Sequence, residues 1–280
     1  MPNRERVLSL EEAAERLGVH YMTAYRYVRL GRLPARQVNG RWTVRPADLA
    51  VLARESGAPR GRKGEPKLSR YRERLLTRLL AGDEPGAWGV VESALTSGSQ
   101  PPDFYLGALA PALREVGDRW ADGTITVAEE HRASAVASRL VGRLGPRFVR
   151  RGRRRGTIVL GAAPGDEHAL PTAILADLLR GEGYAVIDHG ANTPLDSFVS
   201  AARAADALVA VGVSVGSGGN ERSVRAVVRA VHRAVPDVPV LVGGPAVRDE
   251  RSARAMGADG WAADGVGVIA LLEPSTRKRS

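Results

Sequence analysis

Two acidic residues and a histidine follow a short apolar run and could support metal chemistry. Asp166, Glu167 and His168 come directly after TIVLGAAPG (157–165). A carboxylate two residues before an imidazole can accept the N–H of one ring nitrogen, which orients the ring and makes the other nitrogen a better metal ligand. Zinc sites need three or four protein ligands, so a lone axial histidine suits a metal already held by a macrocycle. The alternative is a loop histidine in a domain that binds phosphate or nothing.

Further residues follow two later apolar runs. Ser214 ends ALVAVGVS, and Gly243-Gly244-Pro245 ends the run that begins at Pro239. Glycines remove side chains where something bulky must lie against the backbone. These positions therefore indicate that something bulky lies against the backbone there.

A second candidate stretch is WADGTITVAEEH, in which nine residues separate Trp120 from Glu130-His131. These residues could form a lid over a ligand. A tryptophan at a helix end is also a common core residue, and an acidic residue near a helix N-terminus interacts favourably with the helix dipole. The stretch alone does not decide between these interpretations.

The third candidate site lies near the N-terminus. Ser9 and Glu12 predict a capping box for a helix through EEAAERL, Gly18 supplies a turn, and a second helix follows from about 20 to 30. Asn39-Gly40 between strand-like residues predicts a hairpin wing. Side chains expected to face DNA are His20, Tyr21, Thr23, Arg26 and Arg29 on the second helix, with Arg41 at the wing tip.

The elements that position these residues follow from periodicity. Residues 70–148 show helical spacing broken by Gly and Pro, which predicts a four-helix bundle with Trp120 ending its third helix and Glu130-His131 beginning its fourth. Residues 157–272 alternate strand-like and helical runs, with strands TIVLGAA, YAVIDHG, ALVAVGVS, PVLVGG and GWAAD. This pattern predicts a five-stranded parallel sheet in flavodoxin-like order, with ligands at the carboxyl ends of the strands.

Composition agrees with a protein of several domains. The chain has 280 residues, 44% of them hydrophobic, no cysteine and a net charge of +10. Residues 1–70 hold 15 Lys and Arg against 7 Asp and Glu, the footprint of a nucleic-acid-binding module. No run is long enough to span a membrane, and we expect a cytoplasmic protein that is not an enzyme.

We expect five segments. They are a winged helix-turn-helix domain (1–52), a basic linker (53–69), a helical cap (70–150), a Rossmann-like domain (156–274) and a basic tail (275–280). The fold class is therefore multidomain, α and α/β. His189 and His232 are expected to be structural or solvated. The run RFVRRGRRRG is expected to be a solvated connector, with contact to DNA or a neighbouring subunit as its alternative.

Three of these segments resemble known families. The stretch from EEAAERLGV to RPADL is similar to the winged helix-turn-helix of MerR and excisionase proteins. The D-x-H after the first strand, the Ser after the third and the Gly-Gly after the fourth resemble the cobalamin-binding domain of methionine synthase and base-off mutases. The helices before it resemble the methionine-synthase cap. That likeness implies His168 as the lower axial ligand to cobalt, supported by Asp166, and a slot for the nucleotide tail lined by Ser214 and Gly243-Gly244.

The whole arrangement resembles the MerR-type cobalamin-dependent photoreceptor regulators of the CarH and LitR type, whose cap motif of Trp, nine residues and Glu-His is present. This resemblance implies adenosylcobalamin as cofactor, double-stranded operator DNA as partner, and a homo-oligomer, dimeric or tetrameric, that light dissociates. It implies an upper wall that includes Trp120, with His131 as a second candidate cobalt ligand on the upper face. The remaining expected cofactor-binding residues are Val127, Glu130, Glu167, Leu170, Thr193, Val215, Gly216 and Pro245.

The sequence departs from these patterns at three positions. Pro171 stands where the cobalamin-binding signature has glycine, and it is tolerated if it lies in the first turn of a helix. Gly216 replaces the leucine of S-x-L, which we interpret as widening the tail slot. Ala121 stands where well-known regulators carry a histidine that captures cobalt from above after photolysis, and alanine has no ligand atom.

Three alternatives stay open at this point. The chain could be a light-independent cobalamin sensor. It could sense another tetrapyrrole, a bilin or a haem, in the same pocket. It could also be a corrinoid carrier for methyl transfer, which the basic DNA-binding module argues against.

Overall fold

The computed structural model describes residues 7–17, 21–29, 33–38, 41–55, 68–150 and 152–273. The chain divides into two compact units, residues 1–136 and 137–280. The boundary between the units lies within a helix that the sequence assigns entirely to the cap. The residues after this helix pack in the second unit, where Phe148 is buried and lies beside Gly181.

The N-terminal segment is a winged helix-turn-helix. Its helices are α1 (Leu10–Leu17), α2 (Tyr21–Arg29) and α3 (Pro46–Glu55), and its strands are β1 (Leu8–Ser9), β2 (Ala35–Val38) and β3 (Arg41–Val44). The predicted capping box is present: the Glu12 amide donates to Ser9 Oγ (3.1 Å) and the Ser9 amide donates to Glu12 Oε2 (2.8 Å). The predicted hairpin pairs Val38 with Arg41.

Two features of this segment differ from the expectation. β1 pairs with β3 and was not predicted, because a two-residue strand leaves no periodic pattern. α3 continues to Glu55 and the next helix begins at Leu68, so both ends of the expected linker 53–69 are helical. Its residues 56–67 lie outside the described residues.

The second helix carries four of the residues predicted to face DNA. Ala24 and Tyr25 are buried, and the Tyr25 ring stacks on the Tyr21 ring with centroids 6.4 Å apart. Tyr21 is half-buried, and its contact with DNA stays a prediction. Thr23, Arg26 and Arg29 lie on α2 and Arg41 begins β3. His20 lies outside the described residues.

The predicted helical segments of the cap are confirmed. They are α4 (Leu68–Ala81), α5 (Glu84–Thr96), a third helix made of α6 (Pro101–Phe104), a π-helical turn (Tyr105–Leu109) and α7 (Ala110–Ala121), and α8 (Val127–Leu144). The π-helical turn was not predicted. It ends two residues before Pro111, which has no N–H for the helical ladder. At its end the Ala110 amide donates to the Tyr105 carbonyl, five residues back.

The second unit contains the predicted parallel sheet, in the order β5-β4-β6-β7-β8. Its strands are β4 (Thr157–Ala162), β5 (Ala185–Asp188), β6 (Leu208–Ser214), β7 (Val240–Gly243) and β8 (Gly260–Ala262). Its helices are α9 (Leu170–Gly181), α10 (Leu195–Ala204), α11 (Glu221–Ala234), α12 (Glu250–Ala255) and α13 (Gly265–Leu271). α13 was not predicted as a helix.

The central strands of the sheet are almost entirely apolar in sequence because most of their side chains are buried. Val159, Val211 and Val242 lie in one buried cluster with the inner face of α11, as expected when helices cover a parallel sheet. Strand order changes direction between β4 and β6, so the loops after these strands diverge and leave a crevice at the carboxyl edge. Asp166, His168 and Ser214 lie at that edge.

Candidate functional site

The histidine and the aspartate singled out from the sequence are in direct contact. His168 Nδ1 lies 2.6 Å from Asp166 Oδ1, and the His168 backbone amide donates to the same oxygen at 3.2 Å. A carboxylate accepts hydrogen bonds, so Nδ1 carries the ring proton and Nε2 keeps its lone pair. The Asp166 side chain is fully buried, whereas 51% of the His168 side chain is exposed. The pair therefore presents an oriented imidazole nitrogen to a ligand.

The second oxygen of Asp166 connects this loop to the loop after β6. Asp166 Oδ2 accepts the backbone N–H of Gly216, 50 positions away in sequence. The buried carboxylate thus accepts three hydrogen bonds, two of them from backbone amides. Such bonds compensate for burial of a charged group.

Gly216 has a different role from the one we expected. A Cβ atom at this position would lie 2.7 Å from His168 Nδ1 and 2.8 Å from its Cγ. The glycine therefore lets the imidazole ring lie against the backbone. The expectation that Gly216 widens the tail slot is replaced by this close contact with the ring.

Gly216→Ala is expected to push the His168 ring away from Asp166 and weaken binding of a metal-centred cofactor by about 10-fold, the lower end of what disturbing a ligand's supporting contacts costs. The measurement is the cofactor dissociation constant. Gly218→Ala is the matched control, because a Cβ there meets nothing within 4 Å. Equal affinities in the two variants would contradict this role of Gly216.

The glycine pair after β7 lies where two backbones meet. The Gly243 carbonyl accepts the Val215 N–H at 2.8 Å. Gly244 has φ +111°, and a Cβ there would lie 2.5 Å from the Val215 carbonyl oxygen. A residue with a Cβ atom therefore does not fit at position 244. Beside this crossing, Ser214 is half-buried and Pro245 is exposed.

Two expected cofactor contacts have buried side chains. Val215 is 3% exposed and belongs to the sheet core. Thr193 is 1% exposed, and its hydroxyl donates to the Gly190 carbonyl at 3.2 Å. Neither side chain offers surface to a ligand, since each points into the core from the edge of the sheet.

α9 begins directly after the histidine loop. Leu170 is its first residue and is half-buried, and Pro171 lies in its first turn. A proline is tolerated there because the first amides of a helix have no intrahelical acceptor. The departure from glycine at this position therefore leaves the helix intact.

Asn192 also holds the histidine loop and was missed from the sequence. Its backbone amide donates to the Asp166 carbonyl (2.7 Å), its Oδ1 accepts the Gly165 amide (2.8 Å), and its Nδ2 donates to Glu167 Oε1 (3.0 Å). The available signal was a short G-A-N-T-P loop after a strand, in which asparagine favours turns. That signal does not reveal a partner 25 or more residues away.

The first unit holds the second candidate stretch. Trp120 and Val127 are 47% and 55% exposed, among the few large apolar residues exposed in the described part of the chain. The interpretation of Trp120 as a core residue is therefore excluded. Next to Val127, Thr126 and Glu129 form the cap of α8, and hydrogen bonds from the Thr126 amide and hydroxyl hold the pKa of the Glu129 carboxyl below its usual range.

The Glu-His pair lies near the start of α8. His131 Nδ1 donates to the Val127 carbonyl at 2.9 Å and also lies 3.0 Å from Glu130 Oε2. Glu130 accepts a further bond from the Ser134 hydroxyl at 2.6 Å. Because a carbonyl can only accept, the His131 proton is on Nδ1. Its Nε2 is left as a lone-pair donor on a side chain that is 73% exposed.

Other candidate histidines make structural contacts. His232 Nε2 lies 2.8 Å from Asp259, and His189 packs edge-on against Phe198. Among the described residues, no group of three or more His, Cys, Asp or Glu could hold a metal ion. Within the same ranges, no helix has the length and apolar character to cross a bilayer.

Three family models match the chain. A helix-turn-helix domain matches residues 7–56, and two B12 binding domain models match residues 71–144 and 156–270. These matches cover the winged segment, the helical cap and the α/β unit that contains His168.

Curated relatives include a regulator and a corrinoid protein. The HTH-type transcriptional repressor CarH of Myxococcus xanthus is 31% identical over 204 residues, which cover 71% of this chain and 66% of the repressor. Trimethylamine corrinoid protein 1 of Methanosarcina acetivorans is 27% identical over 124 residues, 43% of this chain and 57% of that protein. The matches thus leave about a third or more of each relative uncovered.

A solved structure shares the fold. The monomethylamine corrinoid protein of Methanosarcina barkeri has a TM-score of 0.64 at 17% identity, over 73% of this chain and 98% of that one. At this identity the likeness concerns the fold alone.

Proposed function

Since this chain belongs to the CarH-type family of cobalamin-binding transcription regulators, we propose that it binds operator DNA under the control of a bound cobalamin. The cofactor proposed for the dark state is adenosylcobalamin, and light is the proposed signal. The chain then acts as a regulator, with no catalytic residue required, because the chemistry belongs to the cofactor.

The arrangement of His168, Asp166 and Gly216 carries this proposal. A half-exposed imidazole whose Nδ1–H is held by a buried carboxylate has its Nε2 free to ligate. The donor set fits one axial position of a metal whose other ligands come from a macrocycle. The backbone crossing at Gly243 and Gly244 would line the slot for the nucleotide tail, beside Ser214.

The proposed upper-face residues are Trp120, Val127 and His131. Trp120 and Val127 expose apolar surface that would cover an adenosyl group, and His131 offers an Nε2 lone pair near them in sequence. When bound, adenosylcobalamin supplies a cobalt–carbon bond that light can cleave. Ala121 provides no ligand atom, so His131 is the residue that we propose for the upper face after illumination.

Control of DNA binding is proposed to work through oligomer state. One winged module makes few contacts with DNA, so several modules held together by a dimer or tetramer would bind much more tightly. A cofactor that binds the oligomer better than the free subunits shifts the population toward the oligomer. Loss of the upper ligand would remove that preference and release the DNA.

The proposal is tested by visible spectra and sizing of the purified full chain, loaded with adenosylcobalamin, before and after illumination. We expect a histidine-ligated cobalamin spectrum that changes in light together with the oligomer size. A spectral change without any change in size or DNA binding would favour a light-independent cobalamin sensor, an alternative supported by Ala121. Binding of bilin or haem instead of cobalamin would reject the proposed cofactor.

Trp120→Ala is expected to change the preference for the upper ligand more than cobalamin binding itself, because Trp120 would contact only the upper group. The preference for adenosylcobalamin over hydroxocobalamin should fall by about 10-fold, the equivalent of 1.4 kcal/mol of lost contact. Dissociation constants for the two cobalamins measure this ratio. Val149→Ala, which also truncates an exposed apolar side chain, is the control.

Equal weakening of every cobalamin by Trp120→Ala and by His168→Ala would reject the assignment of Trp120 to the upper face.

A further inference from the structure

Asn192 makes hydrogen bonds to three consecutive residues of the histidine loop. Its side-chain oxygen accepts the Gly165 amide, its backbone amide donates to the Asp166 carbonyl, and its side-chain nitrogen donates to the Glu167 carboxylate, at 2.8, 2.7 and 3.0 Å. These bonds join the loop after β5 to the loop after β4. The loop after β5 thereby holds residues 165–167, the three residues that precede His168.

The backbone at Asn192 is in a conformation that few side chains adopt. Its φ is +45°, and within the described residues Ala207 is the other non-glycine residue with positive φ. Asparagine tolerates this left-handed region better than most residues. In this conformation the backbone N–H, the side-chain oxygen and the side-chain nitrogen of Asn192 all reach the same loop.

The loop is held from its other side by Asp166. The Asp166 carboxylate accepts the Gly216 amide of the loop after β6, and it also fixes the His168 ring. Asn192 does not contact the imidazole in these bonds. Its influence on His168 must therefore pass through the backbone of residues 165–167 and the direction of the Asp166 side chain.

We infer that Asn192 is a positioning residue, which holds the loop so that His168 presents Nε2 before any cofactor binds; the inference rests on the proposed cobalamin site. A loop that is already ordered does not lose conformational freedom when the ligand forms, so binding is stronger than for a loose loop. Asn192 thus sets how completely bound cobalamin takes histidine as its lower ligand.

Asn192→Gly tests this inference, because glycine keeps the positive φ and the backbone N–H while it deletes both side-chain bonds. We expect about 10-fold weaker binding of hydroxocobalamin, since the loop loses two of the hydrogen bonds that order it before the cofactor binds. The visible spectrum should shift from the histidine-ligated toward the water-ligated form. Ala207→Gly introduces the same change at the other positive-φ position and should leave both readouts unaltered.

A second readout needs no cofactor. In the cofactor-free full chain, the 15N shifts of the His168 imidazole report whether the proton is fixed on Nδ1. We expect a fixed proton in the unmodified chain and in Ala207→Gly, and averaging between the two nitrogens in Asn192→Gly, with thermal unfolding showing that each variant is folded.

The inference would be overturned if Asn192→Gly kept the imidazole shifts and the visible spectrum of the unmodified chain. It would also be overturned if Ala207→Gly lost as much cobalamin affinity as Asn192→Gly. If the unmodified chain binds no cobalamin, the proposed function fails, while the imidazole shifts still decide the role of Asn192.

Discussion

Replacing His168 with alanine is expected to abolish the histidine-ligated cobalamin spectrum and to weaken binding by at least about 100-fold. Loss of a group that merely supports a ligand costs about 10- to 100-fold in metal affinity, and here the ligand itself is lost. Asp166 would also lose the ring N–H that it binds at 2.6 Å. The measurement is a titration of the full chain with hydroxocobalamin, followed by visible absorption.

The matched control for this change is His189→Ala, which removes an exposed histidine in the loop after the neighbouring strand β5. It should leave the spectrum unchanged. A histidine-ligated spectrum that survives in His168→Ala and disappears in His189→Ala would show that the lower ligand is misassigned.

Asp166→Asn is expected to produce the second largest effect. Asparagine has the same size but replaces one acceptor oxygen with an NH2 donor, which must face either the Gly216 amide or the His168 ring N–H. Leaving a buried donor without an acceptor costs about 1–3 kcal/mol. We therefore expect the free energy of unfolding to fall by about that amount, and cobalamin affinity to fall by about 10- to 100-fold.

Chemical denaturation and cobalamin titration together measure these two effects. Asp264→Asn is the control, because Asp264 also accepts a glycine amide, from Gly267 at 2.9 Å, at the end of edge strand β8. If Asp166→Asn lowers stability but leaves both affinity and spectrum intact, Asp166 has only a structural role.

The contacts that could be predicted from the sequence are the local ones. Asp166 and His168 are two residues apart, so their spacing alone placed a carboxylate beside an imidazole. Ser9 and Glu12 are three residues apart and form the expected helix cap, and Thr126 and Glu129 form another at the same spacing. Alternation of strands and helices predicted the sheet order because few topologies satisfy short right-handed connections.

The contacts that could not be predicted join distant loops. Gly216 touches the His168 ring and donates to Asp166 across 50 positions, and a single glycine in a loop does not reveal what approaches it. Thr193 and Val215 were expected to line the pocket because they lie at the correct edge. Their side chains are buried instead, since position at an edge does not determine which way a side chain points.

If a cobalamin held by His168 controls DNA binding, the affinity for DNA must depend on the cofactor. Fluorescence anisotropy would give the affinity of the full chain for a duplex that it selects from a random library, in the dark, with and without adenosylcobalamin. We predict at least about 10-fold tighter binding with the cofactor, which corresponds to a coupling of about 1.4 kcal/mol, and no such difference in His168→Ala. Equal affinities with and without adenosylcobalamin in the unmodified chain would contradict the claim.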